Sequence, residues 1–199
     1  MSPRFIATKA RVKNRGIPPD EFLDQLLTWG RFAPAEIFAV NAEANDVYDS
    51  IWPVLGPWQG QPGSALRLLH RKAVMMEIIR VLAGFESSFK FDEGRDITNA
   101  TSVTPSTIEA GAWQVSANSK LFGKDLKALV AARVRDYDND GDIDDTDFQI
   151  AMKLDHPLAF EYIARLLRHT THHNGPVLRH EIDAWMSKDA VNEFMRLLV

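Results

Sequence analysis

The segment from Ser64 to about Gly84 is the constraint around which the rest of the chain must be arranged. Leu66, Leu68, Leu69, Val74, Met75, Met76, Ile78, Ile79, Val81 and Leu82 leave its second half with little polar surface. A helix that is apolar nearly all round is buried, whereas a surface helix keeps one polar face. Such a helix needs cover on every side, from its own chain or from a second subunit. The 199 residues, 45% of them hydrophobic, suffice for one compact domain around it. The preceding stretch, Trp52 to Gly63, holds Pro53, Gly56, Pro57, Gly60, Pro62 and Gly63, and reads as a loop or linker. No apolar run approaches the roughly 18 residues that span a membrane.

The other elements read as mostly helical. Residues 1–16 carry five basic residues and no acid, and are expected to form a flexible arm before a single domain at 17–199. Pro18-Pro19-Asp20 opens a helix through about Trp29, because proline is tolerated at helix starts. A second helix is expected from about Pro34 and a third from about Ala42 to Ile51. From Phe91 to Gly111 the helical pattern stops. Thr98, Thr101, Ser102, Thr104, Ser106 and Thr107 crowd this segment and favour a small hairpin or long loop. Helices resume near Lys120 and continue, broken once, to the C-terminus. The fold class is therefore mainly α with a small β or loop insert.

That break is Asp136-Tyr-Asp138-Asn-Asp140-Gly141-Asp142-Ile143-Asp144-Asp-Thr-Asp147. It has the spacing of an EF-hand calcium loop inside a helix-loop-helix. Calcium is a hard cation that takes six to eight oxygens. Asp136, Asp138 and Asp140 occupy positions 1, 3 and 5, and Gly141 allows the sharp turn. Asp142 supplies its carbonyl, Asp144 works through a water, and Asp147 closes the shell. Position 12 is Asp147 rather than the usual glutamate, which shortens the closing arm and weakens binding. With no second loop to pair with, Ca2+ is expected to act as a structural staple rather than in a sensor.

Glu86 follows directly on the buried helix, in Gly84-Phe85-Glu86-Ser87-Ser88-Phe89. A carboxyl flanked by Phe85 and Phe89 is partly desolvated. Desolvation raises its pKa and suits it to general-acid work on a glycosidic oxygen. Glu-Ser-Ser-Phe resembles the Glu-Ser motif of lytic transglycosylases and the wider lysozyme-like superfamily, which includes goose-type lysozymes. Gly111-Ala112-Trp113-Gln114-Val115-Ser116 resembles that family's Gly-Leu-Met-Gln motif. His173-Asn174-Gly175-Pro176 resembles its Tyr-Asn-Ala-Gly-Pro segment. The three occur in the family's order between Leu82 and Pro176. Trp113 stands where that family has methionine, and His173 where it has tyrosine.

The resemblance implies a lysozyme-like fold and cleavage of the β-1,4 bond between N-acetylmuramic acid and N-acetylglucosamine in peptidoglycan. It implies Glu86 as general acid, with Ser87, Trp113, Gln114, Ser116 and Asn174 on the substrate. Some members also carry an EF-hand-type calcium site. Others act as phage lysins or as toxins injected into rival bacteria, with an immunity or inhibitor protein as partner. Hydrolysis needs a second carboxylate. Glu109, just before Gly111, is the first candidate, ahead of Asp96, Asp92 and Glu93. Without one, the sugar's own 6-hydroxyl would attack and leave an anhydro product. A non-catalytic calcium-binding module and a glycosidase for chitin or chitosan are the alternatives.

Other features narrow the field. The chain has no cysteine, which excludes disulfides and a thiol nucleophile. The net charge of −4 conceals seven aspartates within 136–147. Without them 20 acids face 23 Lys and Arg, so the body is about +3, suited to an anionic polymer. No basic stripe is dense enough for nucleic acid. His169, His172 and His173 have helical spacing, but no HExxH pattern supports zinc. Trp52, Trp58 and Trp185 read as packing residues before sugar platforms. The N-terminus lacks the apolar stretch of a secretory signal. A chain acting in the periplasm or cell wall is therefore expected to arrive by a secretion system, by phage lysis or with a leader outside this sequence.

Overall fold

The computed structural model describes residues 4–40, 47–169 and 175–199. Asn174, His172, His173 and the side chain of His169 lie outside the described residues. The protein is mainly α-helical, with one two-stranded sheet among the described residues. The helices are α1 (Asp20–Phe32), α2 (Val47–Leu55), α3 (Ala65–Ser87), α4 (Lys124–Arg133), α5 (Asp145–Leu154), α6 (His156–His169) and α7 (Lys188–Leu198). No described helix is long and apolar enough to cross a membrane.

The long apolar helix is α3, and its run from Ala73 to Gly84 is buried throughout. The Ser64 side chain caps it, accepting the Arg67 N–H at 3.2 Å. Its cover comes from the same chain: α1, α6 and α7 pack on it. Amphipathic spacing explains each layer. In α1, Phe22, Leu23, Leu26 and Leu27 face inward; in α7, Ala190, Val191 and Phe194 do.

Part of the cover is polar. Glu77 and Arg80, both fully buried on α3, form a bidentate ion pair with two 2.7 Å hydrogen bonds. The pair also gathers neighbouring backbone. Ser187 N–H donates to Glu77 at 2.9 Å, and Arg80 donates to the Ala10 carbonyl at 3.0 Å. The start of α7 and the N-terminal segment are thus tied to the central helix. A buried charge pair survives only when its remaining polar atoms are satisfied in this way.

The N-terminal segment is not a free arm. Phe5, Thr8 and Val12 are buried, and residues 12–16 close a turn through a Val12–Gly16 bridge. The buried Glu193 of α7 accepts the N–H groups of Ile6 (2.9 Å) and Thr8 (2.8 Å) and the Thr8 hydroxyl (2.7 Å). The five basic residues suggested a solvated arm, but the buried Phe5, Thr8 and Val12, at spacings of three and four, dock it. Gly84 permits that docking, since a Cβ there would lie 2.8 Å from Val12 Cβ.

Other boundaries moved. The helix expected from Pro34 is only a 3-10 turn, Ala35–Ile37. That expected from Ala42 is described from Val47, its earlier residues lying outside the described set, and it runs on through Pro53 to Leu55. The insert is a short hairpin: β1 (Glu109–Ala110) pairs antiparallel with β2 (Val115–Ser116), with Glu109 opposite Ser116.

Candidate active site

Glu86 sits in the last turn of α3, where the chain reverses. Ser88 and Phe89 take left-handed φ values of 60° and 68°, and their N–H groups bond back to Gly84 and Ala83. This termination leaves Glu86 half-buried at one wall of a cleft of about 810 Å³. Its other walls include the turn at Ser87–Ser88, Lys90, the segment Glu93–Asn99, Glu109, Gln114, Gly175, Pro176, Arg15 and Arg179.

Burial pushes the Glu86 carboxyl up to about 7. Arg179 and Arg15 pull it down, while Glu181 and Asp96 push it up, and burial outweighs them all. A carboxyl at that value is about half protonated near neutrality.

Glu109 enters the same cleft from β1. Its Oε1 accepts from the Asn99 side chain, while its Oε2 is buried without a hydrogen-bond partner among the described residues. Gln114 also reaches the cleft, from a backbone held at φ 47°, with its side-chain N–H on the Gly111 carbonyl at 3.0 Å. Gly111 shapes this turn. Its φ is 75°, and a Cβ there would lie 2.7 Å from the Met152 carbonyl of α5.

The other expected residues are placed differently. Trp113 is 4% exposed and sits among Phe22, Phe91 and Phe160, with its N–H on the Ile79 carbonyl at 3.0 Å. It packs the hairpin onto the core and offers no face to a substrate, which corrects that reading. The buried Ser87 hydroxyl reaches the Ala112 and Ala83 carbonyls, so it ties the helix end to the hairpin. Ser116 bonds Asn118 at 2.7 Å and does not line the cleft. Asp96 and Glu93 line the cleft, whereas Asp92 belongs to a separate groove. Bonds from the Thr98 hydroxyl and N–H hold Asp96 below the usual carboxylate range.

Among the cleft residues missed from sequence, Arg15 and Arg179 act on Glu86. Arg15 sits on the docked N-terminal turn and Arg179 follows Pro176. Neither belongs to a linear motif, so only the tertiary contact brings them to Glu86.

The aspartate loop joins α4 to α5 as expected. Carboxylate oxygens of Asp136, Asp138 and Asp147 lie within 4.8 Å of one another. Gly141 has φ 96° and donates to Asp136 Oδ2 at 3.1 Å. Asp138 and Asp140 each accept the N–H two residues on, at 3.3 and 3.0 Å, which curls the loop. Asp136 Oδ1 is buried without a hydrogen-bond partner among the described residues, as a cation ligand would be. This donor set of hard oxygens fits a divalent cation. The carboxylates of Asp140 and Asp142 are exposed and stand outside the trio.

Asp147 has a second task. It forms a capping box with Asp144 at the start of α5, and its other oxygen accepts the Tyr137 N–H. Burial works against its charge, but these backbone donors hold its carboxyl below the usual range. The loop thus sets the start of α5, and α5 packs on β1 of the cleft hairpin.

No family model, curated protein or solved structure matches the chain. The chemistry of the cleft is therefore the basis for a functional reading.

Proposed function

We propose that the protein is a glycosidase of lysozyme-like fold that cleaves the β-1,4 bond between N-acetylmuramic acid and N-acetylglucosamine in peptidoglycan. The observation that carries this reading is Glu86. It is a half-buried acid with its pKa raised to about 7, facing a large polar cleft that also holds Glu109. The long buried helix ending at that acid, with a short hairpin across the cleft, supports the fold assignment. Arg15 and Arg95 on the cleft walls offer partners for carboxylate groups of the polymer, beside the cleft's own acids Glu86, Glu93, Asp96 and Glu109.

In this mechanism Glu86 gives its proton to the glycosidic oxygen as the bond breaks and oxocarbenium character develops. Glu109 then activates a water or attacks the sugar directly. Gln114 orients the sugar from the hairpin. If Glu109 is not engaged, the substrate's 6-hydroxyl attacks and Glu86 takes the proton back, leaving an anhydro end.

A calcium ion held by Asp136, Asp138 and Asp147 would supply a cross-link within the loop, with Asp140 and the Asp142 carbonyl completing the shell. Action at the bacterial wall follows from the substrate, and an immunity or inhibitor protein is the partner that such an activity calls for. The test is release of sugar fragments from purified peptidoglycan by the wild type and by Glu86→Gln. Mass spectrometry separates reducing ends from anhydro ends. Full lysis by a folded Glu86→Gln variant would remove Glu86 from the mechanism. Turnover of chitin alone would change the substrate. No turnover, with a calcium-dependent change in exposed apolar surface, would favour a binding module.

A further inference from the structure

The threonine-rich segment between the central helix and the hairpin repeats one turn. Asp96 accepts the Thr98 N–H at 2.8 Å and the Thr98 hydroxyl at 2.6 Å. Three residues on, Asn99 Oδ1 accepts the Thr101 N–H at 3.0 Å and the Thr101 hydroxyl at 2.8 Å. Aspartate and asparagine side chains close such turns on the backbone two residues ahead. The main chain joins the two turns. Asn99 N–H donates to the Asp96 carbonyl at 3.2 Å, and Ser102 N–H donates to the Asn99 carbonyl at 3.1 Å. Ser102 is fully buried and anchors the far end.

These bonds leave the Asn99 side chain one orientation. An amide has an oxygen that accepts and a nitrogen that donates. The Thr101 N–H can only donate, so the amide oxygen must face it and the nitrogen must point elsewhere. That nitrogen donates to Oε1 of Glu109, the second carboxylate of the cleft. Glu109 Oε2 is buried with no hydrogen-bond partner among the described residues. Oε1 is therefore the oxygen left to meet a substrate, and it is the one that Asn99 holds.

We propose that Asn99 is a positioning residue for Glu109 and sets the share of bond cleavage that ends in hydrolysis. The inference rests on the glycosidase reading given above. A neutral donor engages one lone pair of Oε1 and restrains the carboxyl without cancelling its charge. The other lone pair is then held in one direction, toward a water or the sugar carbon. Without this bond the carboxyl turns more freely and is less often aligned, and the substrate's 6-hydroxyl gains in the competition. Asn99 touches no reacting atom and acts through Glu109.

Asn99→Asp separates this role from a merely structural one. The new side chain has nearly the same shape and keeps an acceptor for Thr101, as Asp96 does for Thr98, so the turn and Tm should be retained. It lacks the N–H that reaches Glu109. Mass spectrometry counts the reducing and anhydro ends released from soluble glycan strands. Reducing-end kcat should fall about tenfold or more, the effect of losing one hydrogen bond to a charged group, with KM little changed. The anhydro share should rise. Relative to wild type, the reducing-end rate should recover as pH falls, because a protonated carboxyl at this position donates again. In a Glu109→Gln background the substitution should bring no further loss. An unchanged product ratio in the folded variant overturns the inference, and so does an equal loss of both products. Wild-type release of anhydro ends alone also overturns it, since Glu109 is then idle. Each of these results leaves the glycosidase reading standing, whereas no turnover by wild type removes that reading and this inference with it.

Discussion

The Ser87 hydroxyl lies 2.9 Å from the Ala112 carbonyl, joining the end of the central helix to the hairpin across the cleft. The same oxygen accepts the Lys90 N–H at 3.1 Å. One buried side chain therefore sets the spacing between the residue after Glu86 and the residues before Gln114.

Ser87→Ala is expected to leave the Ala112 carbonyl and Lys90 N–H without this partner and to cost about 1–3 kcal/mol of stability. Because the loosened contact lies between acid and hairpin, kcat should fall more than KM rises. Urea unfolding and steady-state kinetics on soluble glycan fragments check both. Unchanged kcat with lowered stability would make the contact structural only.

The raised Glu86 carboxyl sets a basic limit to activity. Rates should fall above pH about 7 as the acid loses its proton. Arg15 pulls that value down, so Arg15→Ala should move the limb to higher pH. A pH–rate profile of both proteins measures this. A wild-type limb close to an ordinary carboxylate value would contradict the burial argument.

The same group links pH to stability. Its folded-state pKa lies above the unfolded value, so the folded state prefers the protonated form. The contribution is fully present below the unfolded pKa of about 4.5 and is lost as pH rises through about 7. Glu86→Gln removes the ionisation penalty. The variant should match wild type near pH 4 and exceed it by about 2 kcal/mol at pH 8, allowing for the solvent-facing part of the side chain. Denaturation at the two pH values tests the sign.

Calcium should act on stability before it acts on rate. At 100 times its dissociation constant, an ion bound only by the folded state adds about 2.7 kcal/mol. Chelation should lower Tm accordingly, and Asp136→Asn should abolish the difference. Calorimetry with and without chelator decides it; a Tm indifferent to calcium would leave the trio without an ion. Lost activity at unchanged Tm would mean that the ion has a role in the cleft.

Arg80→Met strands a buried Glu77 carboxylate and is expected to cost about 3–5 kcal/mol. Adding Glu77→Leu should restore much of the loss, because the pair is then replaced by apolar packing. Thermal denaturation of the single and double variants compares them. Additive losses would show that the pair's value lies in its bonds to Ala10 and Ser187.

Much of the candidate site was legible because it is local in sequence. Glu86 follows an apolar helix, and Glu109 and Gln114 flank a glycine turn. The aspartates of the loop follow a ligand spacing that needs no distant partner. Trp113 misled because a motif specifies neighbours along the chain and not the side on which a ring packs. Arg15 and Arg179 were invisible for the converse reason, since their proximity to Glu86 comes from folding alone.

By itself, the sequence determined the buried central helix, the mainly α class, the acid at the helix end and the curled aspartate loop. Each follows from periodicity, turn chemistry or ligand spacing over short distances. Only the tertiary structure decided that Ile6 and Thr8 dock on Glu193, that Glu77 and Arg80 pair inside the core, and how far burial raises Glu86. Those outcomes depend on which surfaces are removed from water, and desolvation is a property of the assembled fold.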